Sequence, residues 1–180
     1  SSSLKLVPAR KGDPIQVPVV YSSSEPRSAS DWMPCQDRPD DRAIFAMNLD
    51  LRQDENLISN GLRLSDQRLE QGRHRISYRT EHAIPTYLMA FAAGRLDRVA
   101  TKLPSGKELS VWFRRGLTAD FDGVLAETAK QIALFEKLVG DYPWEKYSIV
   151  LLPEFGGGME NASITFNDET RSSQGNFGSD

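Results

Sequence analysis

The chain has 180 residues, of which 39% are hydrophobic and 26% charged, and this composition is typical of a globular protein rather than a disordered one. Its 22 basic and 25 acidic residues give a net charge of −3 without a basic stripe, so nucleic acid is not expected as a partner. The single cysteine, Cys35, excludes an internal disulfide, and no apolar run approaches the ~20 residues that cross a bilayer.

Residues 4–100 are predicted to form β-structure. Short apolar runs with a period of two are separated there by clusters of Pro, Gly, Asn and Asp. The first run covers residues 17–21, where Pro18 favours an edge strand. The next covers residues 43–51, and its alternation of apolar and polar side chains predicts a strand with one buried face.

The Asn60-Gly61 pair predicts a tight reversal between two strands, because both residue types tolerate positive φ angles. A hairpin is therefore expected in residues 57–64. Residues 74–79 alternate again and predict another strand. Residues 87–93 are almost continuously apolar, which is typical of a strand that is covered on both faces.

The pattern changes after Gly94. Residues 107–115 predict one more strand, and Thr118 and Asp120 are candidate helix N-caps. Apolar residues at spacings of three and four then predict an amphipathic helix of about five turns, capped by Gly140; they are Phe121, Val124, Leu125, Ile132, Phe135, Leu138 and Val139. Buried strands are predicted at residues 147–152 and 162–166, followed by a polar tail over residues 170–180.

These elements predict an α+β fold with two domains. Residues 1–96 are assigned to an N-terminal antiparallel β-sheet domain, and residues 97–180 to the start of an α/β domain. The boundary is placed where alternating strands give way to a strand, a helix and a buried strand.

The strongest candidate for chemistry is the glycine-rich loop predicted over residues 155–161, which includes Gly157-Gly158-Met159-Glu160-Asn161. Glycines let a ligand main chain approach closely, and a carboxylate follows them. Alone, such a run more often indicates a glycine-rich turn with a solvated Glu.

Other constellations are weaker. His74 and His82 lie eight residues apart in sequence that is typical of strands, without companion ligands, and such a pair is usually structural or exposed. The Gly-x-Ser-x-Gly turn of serine hydrolases does not occur.

Taken in order, several segments resemble the aminopeptidase N family of zinc metallopeptidases, which includes leukotriene-hydrolysing enzymes. The resemblance extends from about Val17 to Phe166, and its most specific motif is Gly-Gly-Met-Glu-Asn at residues 157–161. The other landmarks are Glu25-Pro26, residues 32–37, Ser59-Asn60-Gly61, residues 84–88, Phe135-Glu136 and residues 142–147.

The resemblance implies that a saddle-like β-domain packs on a thermolysin-like catalytic domain, with a peptide substrate between them. It implies that Glu160 binds the free α-amino group and that Glu25 supplies a second contact to the same amine. The residues Gly157, Gly158, Met159 and Asn161 complete the implied substrate-binding segment, in which the glycines offer backbone groups to the peptide. Two carboxylates around one ammonium would form charge-assisted hydrogen bonds and select a peptide end.

Two departures from the family pattern stand out. Ser30 occupies a position where the family usually has Arg, which bears on the geometry around Glu25. The family's His-Glu-x-x-His zinc motif is missing from the sequence. We therefore expect an internal fragment that is inactive alone, with zinc ligands outside this chain. We also expect an exposed last strand near Phe166, and poor solubility as its result.

The favoured function is thus that of a zinc aminopeptidase segment that binds peptides with a free N-terminus. A non-catalytic, aminopeptidase-like interaction module and a stand-alone β-rich binding domain are alternatives. We expect a soluble protein without a membrane-spanning segment, with the cytoplasm slightly favoured. Side-chain specificity and oligomeric state are left open.

Overall fold

The computed structural model describes residues 3–9, 11–13 and 15–170 of the chain. The helix α1 covers Phe121–Val139, and short 3-10 turns cover Ala29–Asp31 and Thr86–Leu88. The strands are β1 (Leu4–Val7), β2 (Val19–Ser22), β3 (Arg42–Ala43), β4 (Ala46–Arg52), β5 (Asn56–Ser59), β6 (Leu62–Arg68), β7 (Arg73–Arg79), β8 (Ile84–Pro85), β9 (Phe91–Gly94), β10 (Leu96–Lys102), β11 (Glu108–Arg114), β12 (Lys146–Leu152), β13 (Gly158–Asn161) and β14 (Ile164–Asp168).

The strands form four sheets. Three of them, which we call the N-terminal sheets, are antiparallel and have the orders β1-β2-β9-β5, β4-β7-β6 and β3-β8. The fourth, the C-terminal sheet, has the order β10-β11-β12-β14-β13. Its three central strands are parallel and its two edge strands are antiparallel to their neighbours. The predicted α+β class is confirmed, whereas the domain boundary after Leu96 stays a prediction.

The central strands of the C-terminal sheet bury side chains on both faces, because successive side chains of a strand point to opposite sides. On β12, Val150 and Leu152 pack into the core shared with the N-terminal sheets, while Ile149 and Leu151 pack into the core under α1. The N-terminal sheets contribute Tyr21, Leu57, Ile58, Ile76, Tyr78 and Phe91 to the shared core. One sheet is thus common to the two larger cores of the described structure.

The helix follows its prediction at the ends and differs along its face. Asp120 is the N-cap, and its carboxylate accepts a hydrogen bond from Gly123 N at 2.9 Å. Phe121 stacks on Phe113 with ring centroids 3.8 Å apart. The last turns do not reach the sheet within the described structure, because Phe135, Leu138 and Val139 are 60%, 68% and 81% exposed.

The hairpin predicted around Asn60-Gly61 is wrong. β5 pairs with β9 and β6 pairs with β7, so the chain changes sheet at this point. The Asn60 side chain is buried, and its amide group makes hydrogen bonds to residues distant in sequence. A Cβ at Gly61, whose φ is 75°, would lie 2.0 Å from Arg79 O. The pair forms a corner between sheets because packing, and not local turn preference, decides its conformation.

Three smaller predictions are also corrected. Residues 86–88 form a 3-10 turn, so the predicted strand over residues 87–93 begins only at Phe91. Pro18 precedes β2, and β2 is an inner strand rather than an edge. Phe166 is fully buried in the shared core against Tyr21 and Phe155, and β14 is not an edge strand because β13 pairs with its outer side. From residue 171 on, the predicted tail lies outside the described residues.

A group of polar contacts, which we call the corner cluster (Ser59, Asn60, Gly61, Lys146 and Ser163), joins the N-terminal sheets to the C-terminal sheet. Asn60 Nδ2 donates to Leu88 O at 2.9 Å and to Ala162 O at 2.6 Å, and Asn60 Oδ1 accepts from Ala90 N at 2.6 Å. Gly61 N donates to Ser163 Oγ at 3.0 Å.

Lys146 completes the corner cluster. Its ammonium is buried and donates to Ser59 O at 2.9 Å and to both oxygens of Ser163 at 3.4 Å. No carboxylate pairs with it among the residues that the structure describes. Burial lowers the pKa of Lys146 to about 7.

A second buried cation, Arg114, ties the start of the described chain to its end. Its guanidinium is 2% exposed and binds Asp13 at 2.7 Å, Glu169, and the carbonyl oxygens of Ile15 and Val17. Hydrogen bonding to Arg114 lowers the pKa of Asp13. Both carboxylates compensate the buried charge, which a lone guanidinium could not sustain.

None of the described helices is long and apolar enough to cross a membrane.

Replacing Asn60 by Ala removes two buried hydrogen bonds and one that is partly buried, and it leaves two carbonyl groups and one N–H without this partner. We expect the free energy of unfolding to fall by about 2–4 kcal/mol in a urea titration. Asn48→Ala is the control, since exposed Asn48 only accepts a hydrogen bond from Ser77 Oγ and should change stability by less than about 1 kcal/mol. Equal effects of the two substitutions would contradict a special role of Asn60.

The low pKa of Lys146 predicts a pH dependence of stability. The pKa is about 7 in the folded chain and about 10.4 in the unfolded chain, so the unfolded chain binds more protons between these values. The free energy of unfolding should therefore rise from about pH 7 to pH 9 and be flat with respect to this group below pH 6. Buried tyrosines such as Tyr78, with a pKa of about 12, oppose the rise only nearer pH 10.

Thermal unfolding at several pH values measures this slope. Lys146→Met should remove most of the rise, whereas Lys102→Met, at an exposed position, should keep it. A Lys146→Met chain with the slope of the parent chain would refute the assignment.

Candidate functional site

The segment predicted as a glycine-rich loop is an edge strand from Gly158 on. In the described structure β13 pairs only with β14, with Met159 opposite Phe166 and Glu160 opposite Thr165. Met159 and Asn161 are buried, while Gly158 and Glu160 are exposed. This alternation is that of a half-buried strand, so the loop prediction is wrong for residues 158–161.

Asp168 fixes the turn that leads into β13. Its carboxylate accepts hydrogen bonds from Gly156 N at 2.8 Å and Thr170 N at 2.9 Å, and its own N–H donates to Gly157 O at 3.0 Å. Partial burial acts to raise the pKa of Asp168, but the hydrogen bonds from Thr170 and Gly156 outweigh it and lower the pKa. Asp168 is therefore ionised at neutral pH and anchors the glycines by charge-assisted hydrogen bonds.

The register determines which backbone groups face outward. Gly157 lies opposite Asp168 in a hydrogen-bonded pair, and such pairs alternate with non-bonded pairs along an antiparallel ladder. Residues 157, 159 and 161 therefore bond to β14. The N–H and C=O groups of Gly158 and Glu160 point away from β14, toward the open edge of the sheet.

The Glu160 carboxylate is exposed and makes no hydrogen bond or ion pair with any described residue. It lines a cavity of about 250 Å³ between α1 and the hairpin of β13 and β14. The cavity walls mix apolar residues with polar side chains, which are Glu127, Thr128 and Gln131 on α1, and Thr165 and Asn167 on β14. A carboxylate in this setting can accept hydrogen bonds from an ammonium group.

Packing within the chain does not demand the glycines at 157 and 158. A Cβ at Gly157 would have no heavy atom within 4 Å, and one at Gly158 would meet Asn167 Oδ1 at 3.4 Å. Neither residue has a positive φ. The space beside the open edge is therefore empty in the described structure, and a ligand main chain can approach the backbone there.

Glu25 lies in the turn that follows β2 and is exposed, without a hydrogen bond or ion pair to the described residues. It is not among the residues that line the cavity beside Glu160. The strand before it contacts the glycine-rich segment, because the Tyr21 ring lies 5.8 Å from that of Phe155 and Tyr21 Oη donates to Pro153 O at 3.2 Å.

The surroundings of Glu25 are held by local hydrogen bonds. Trp32 Nε1 donates to Ser24 Oγ at 2.8 Å, and Ser30 Oγ donates to Asp37 Oδ2 at 3.0 Å. Ser30, the departure from the family pattern, thus pairs with a carboxylate within the same segment.

The two histidines are structural or exposed, as predicted. His74 is buried on β7, with Nδ1 2.6 Å from Asp66 Oδ1 and Nε2 3.1 Å from Glu55 O. His82 is exposed beside the Trp144 ring. The described residues contain no group of three or more His, Cys, Asp or Glu side chains that could hold a metal. They do not fit a zinc site, so no metal-dependent step is assigned to them.

Sequence reasoning missed the polar walls of the Glu160 cavity. Glu127 and Gln131 are four residues apart on α1, and Thr165 and Asn167 are two apart on β14. Each pair follows the period of its element, which places both members on one face. The periodic spacing of each polar pair can be read from the sequence, but the sequence does not show that these faces of α1 and β14 lie against each other.

Known proteins that are similar in sequence to this chain belong to the family that its motifs resemble. Residues 11–88 match the Peptidase M1 N-terminal domain. The chain is 28% identical to leukotriene A-4 hydrolase of Xenopus laevis over 83% of its own length and 24% of that protein. It is 28% identical to leucine aminopeptidase 2 of Yarrowia lipolytica over 89% of its own length and 28% of that protein. The chain thus spans about a quarter of these relatives.

Solved structures of M1 zinc metallopeptidases share the fold of this chain. An M1 zinc metallopeptidase from Deinococcus radiodurans superimposes with a TM-score of 0.76 at 24% identity, over 92% of this chain and 40% of that one. A mutant of that enzyme bound to a Tyr-Ser-Ala substrate gives a TM-score of 0.76 at 25% identity, over the same shares of the two chains. The resemblance inferred from the sequence motifs is confirmed.

The free space at Gly157 predicts that Gly157→Ala will fold normally. We expect its free energy of unfolding to stay within about 0.5 kcal/mol of the parent chain. Gly61→Ala should lose about 3 kcal/mol or more, because its Cβ would overlap the Arg79 carbonyl and its φ is positive. Chemical denaturation measures both, and a large loss at Gly157 would show that packing requires that glycine.

Proposed function

We propose that this chain, which has the fold and the N-terminal domain of the M1 zinc metallopeptidases, is the part of a zinc aminopeptidase that holds the amino end of a peptide substrate. The observation that carries the proposal is the open edge of β13. There, among the residues that the structure describes, two backbone positions without a partner strand lie beside a carboxylate without a partner, that of Glu160.

An extended peptide would bind by adding a strand to this edge. The N–H and C=O groups of Gly158 offer hydrogen bonds to the peptide main chain, as in other cases of strand addition. The bare backbone at Gly157 leaves room for the approach. Met159 and Asn161 serve this arrangement by holding β13 in place from its buried face.

The Glu160 carboxylate would bind the α-ammonium of the peptide. A hydrogen bond between charged groups contributes about 1.5–3 kcal/mol, enough to prefer a free amino end over a blocked one by at least tenfold. Glu25 is proposed as the second carboxylate for the same ammonium. Its support is the family resemblance and the contact of β2 with Phe155, which brings the two segments together.

Hydrolysis would require the zinc ion of the related peptidases, which activates water when bound. Because the described residues offer no ligand set, the role proposed for this chain is limited to binding and orienting the peptide. The same open edge also suits a non-catalytic interaction module, and the two proposals differ in the peptide end that they require.

Titration calorimetry with the tripeptide Tyr-Ser-Ala and its N-acetylated form tests the proposal. The free peptide should bind at least about tenfold more tightly than the acetylated one, because only the free peptide carries the ammonium. Glu160→Gln should abolish this preference and leave the binding of the acetylated peptide unchanged. Glu25→Gln should reduce the preference.

Glu70→Gln, at an exposed position in the turn between β6 and β7, is the matched control and should bind like the parent chain. Equal affinity for both peptides would favour the interaction module over the amine anchor. The chain alone should not hydrolyse an aminoacyl-arylamide, and hydrolysis that persists with a chelator would overturn the zinc-dependent account.

A further inference from the structure

A second cavity lies at the junction of the N-terminal sheets and the C-terminal sheet, separate from the open edge of β13. It has a volume of about 370 Å³. Its walls come from β5, β6 and β7 on one side, and from β10, the turn before β11 and the start of β12 on the other. A site here would be built from both parts of the fold.

Tyr78 lines this cavity. The side chain is buried at 3% exposure, yet the hydroxyl makes no hydrogen bond with any described residue. A buried phenol normally finds a partner, so an unused donor that lines a cavity points to a ligand or solvent acceptor. Burial raises the pKa of Tyr78 to about 12, so the hydroxyl keeps its proton and can donate at neutral pH.

The cavity is rich in cations. Arg63, Arg98, Lys107 and Lys146 line it with the carboxylates of Glu108 and Glu145, so basic side chains outnumber acidic ones in the lining. Asp66, outside the lining, pairs with Arg63 and offsets one of these charges. Lys146 has its three N–H groups directed at oxygens of the corner cluster. With a pKa of about 7 it is about half protonated at neutral pH, so it contributes part of a positive charge rather than donors.

The other three cations, Arg63, Arg98 and Lys107, have N–H groups that make no hydrogen bond with the described residues. Arg98 uses one nitrogen on Glu108 at 2.8 Å, and Arg63 uses one on Asp66 at 2.6 Å. Lys107 Nζ donates to Tyr142 O. A guanidinium carries five N–H groups and an ammonium three, so most of these donors have no acceptor among the described residues. Donors exceed acceptors around this cavity.

From this combination we propose that the cavity is a binding site for a small oxyanion, a phosphate or a carboxylate, held by the Tyr78 hydroxyl and the free N–H groups of Arg63, Arg98 and Lys107. The anion would satisfy the unused phenol and balance the excess positive charge. A cation is disfavoured by the guanidinium groups of Arg63 and Arg98 and the ammonium group of Lys107.

The acidic residues do not cancel this preference. The Glu108 carboxylate is paired with Arg98, and Glu145 Oε1 accepts from Glu81 N at 2.6 Å. Glu145 Oε2 is buried without a hydrogen-bond partner in the described part of the chain, so it opposes an anion that comes close to it. The anion is therefore placed on the side of Tyr78, Arg63 and Arg98, which line the cavity together, and away from Glu145.

The site does not depend on peptide binding. It shares no lining residue with the cavity beside Glu160, so either proposal can fail while the other stands.

Calorimetric titration of the 180-residue chain with inorganic phosphate, and separately with acetate, tests the site at constant ionic strength set by chloride. We expect saturable binding of at least one of the two, and their relative affinities distinguish a phosphate ligand from a carboxylate. Tyr78→Phe should weaken binding about fivefold to tenfold, the effect of one lost hydrogen bond. Arg98→Gln should weaken it more.

Two variants serve as matched controls. Tyr147→Phe removes a hydroxyl outside this cavity, and Arg115→Gln breaks an ion pair with Asp97 of similar exposure to that of Arg98 with Glu108. Both should bind like the parent chain. Unfolding temperatures measured without added anion show whether each variant is folded. Absence of saturable binding of both anions to the parent chain, or equal weakening by the controls, would overturn the proposal.

Discussion

The buried amide of Asn60 is the contact on which the arrangement of the molecule depends. It bonds to the main chain at Leu88 and Ala90 within the N-terminal sheets, and to Ala162 at the turn between β13 and β14. Gly61 and Lys146 reach Ser163 in the same turn. An unsatisfied buried polar group is unfavourable, so these groups hold one relative position of the two parts. The edge strand that carries Glu160 is thereby fixed against the N-terminal sheets.

Local signals that agree with tertiary packing could be read from the sequence. Asp120 caps α1 as its side-chain chemistry requires, and the apolar run of β12 marks a strand covered on both faces. The hairpin predicted at Asn60-Gly61 is wrong because this pair usually indicates a local turn, whereas both residues here bond to residues that are distant in sequence. The apolar face predicted for the second half of α1 is not buried, for a related reason. Its period predicts a helix but not which turns meet the sheet.

At the candidate site, sequence identified the residues but not their geometry. The motif at residues 157–161 and Glu25 came from resemblance to a family, and nothing in their spacing shows an open strand edge. The pairing of β13 with β14, and the outward direction of the Gly158 backbone, follow from a register that only the structure supplies. The oxyanion cavity could not be predicted from the sequence either, because its basic residues are spread along the chain from Arg63 to Lys146.

The bond from Asn60 to Ala162 also bears on how the chain folds. It joins residues 102 positions apart, so a long loop must close before the bond can form. During synthesis the N-terminal sheets emerge first, and the hairpin of β13 and β14 emerges only after α1 and β12 have been made. The strand with the free edge thus takes its final position late, and until then its unpaired backbone is open to other strands. Rapid formation of the corner cluster would limit that exposure.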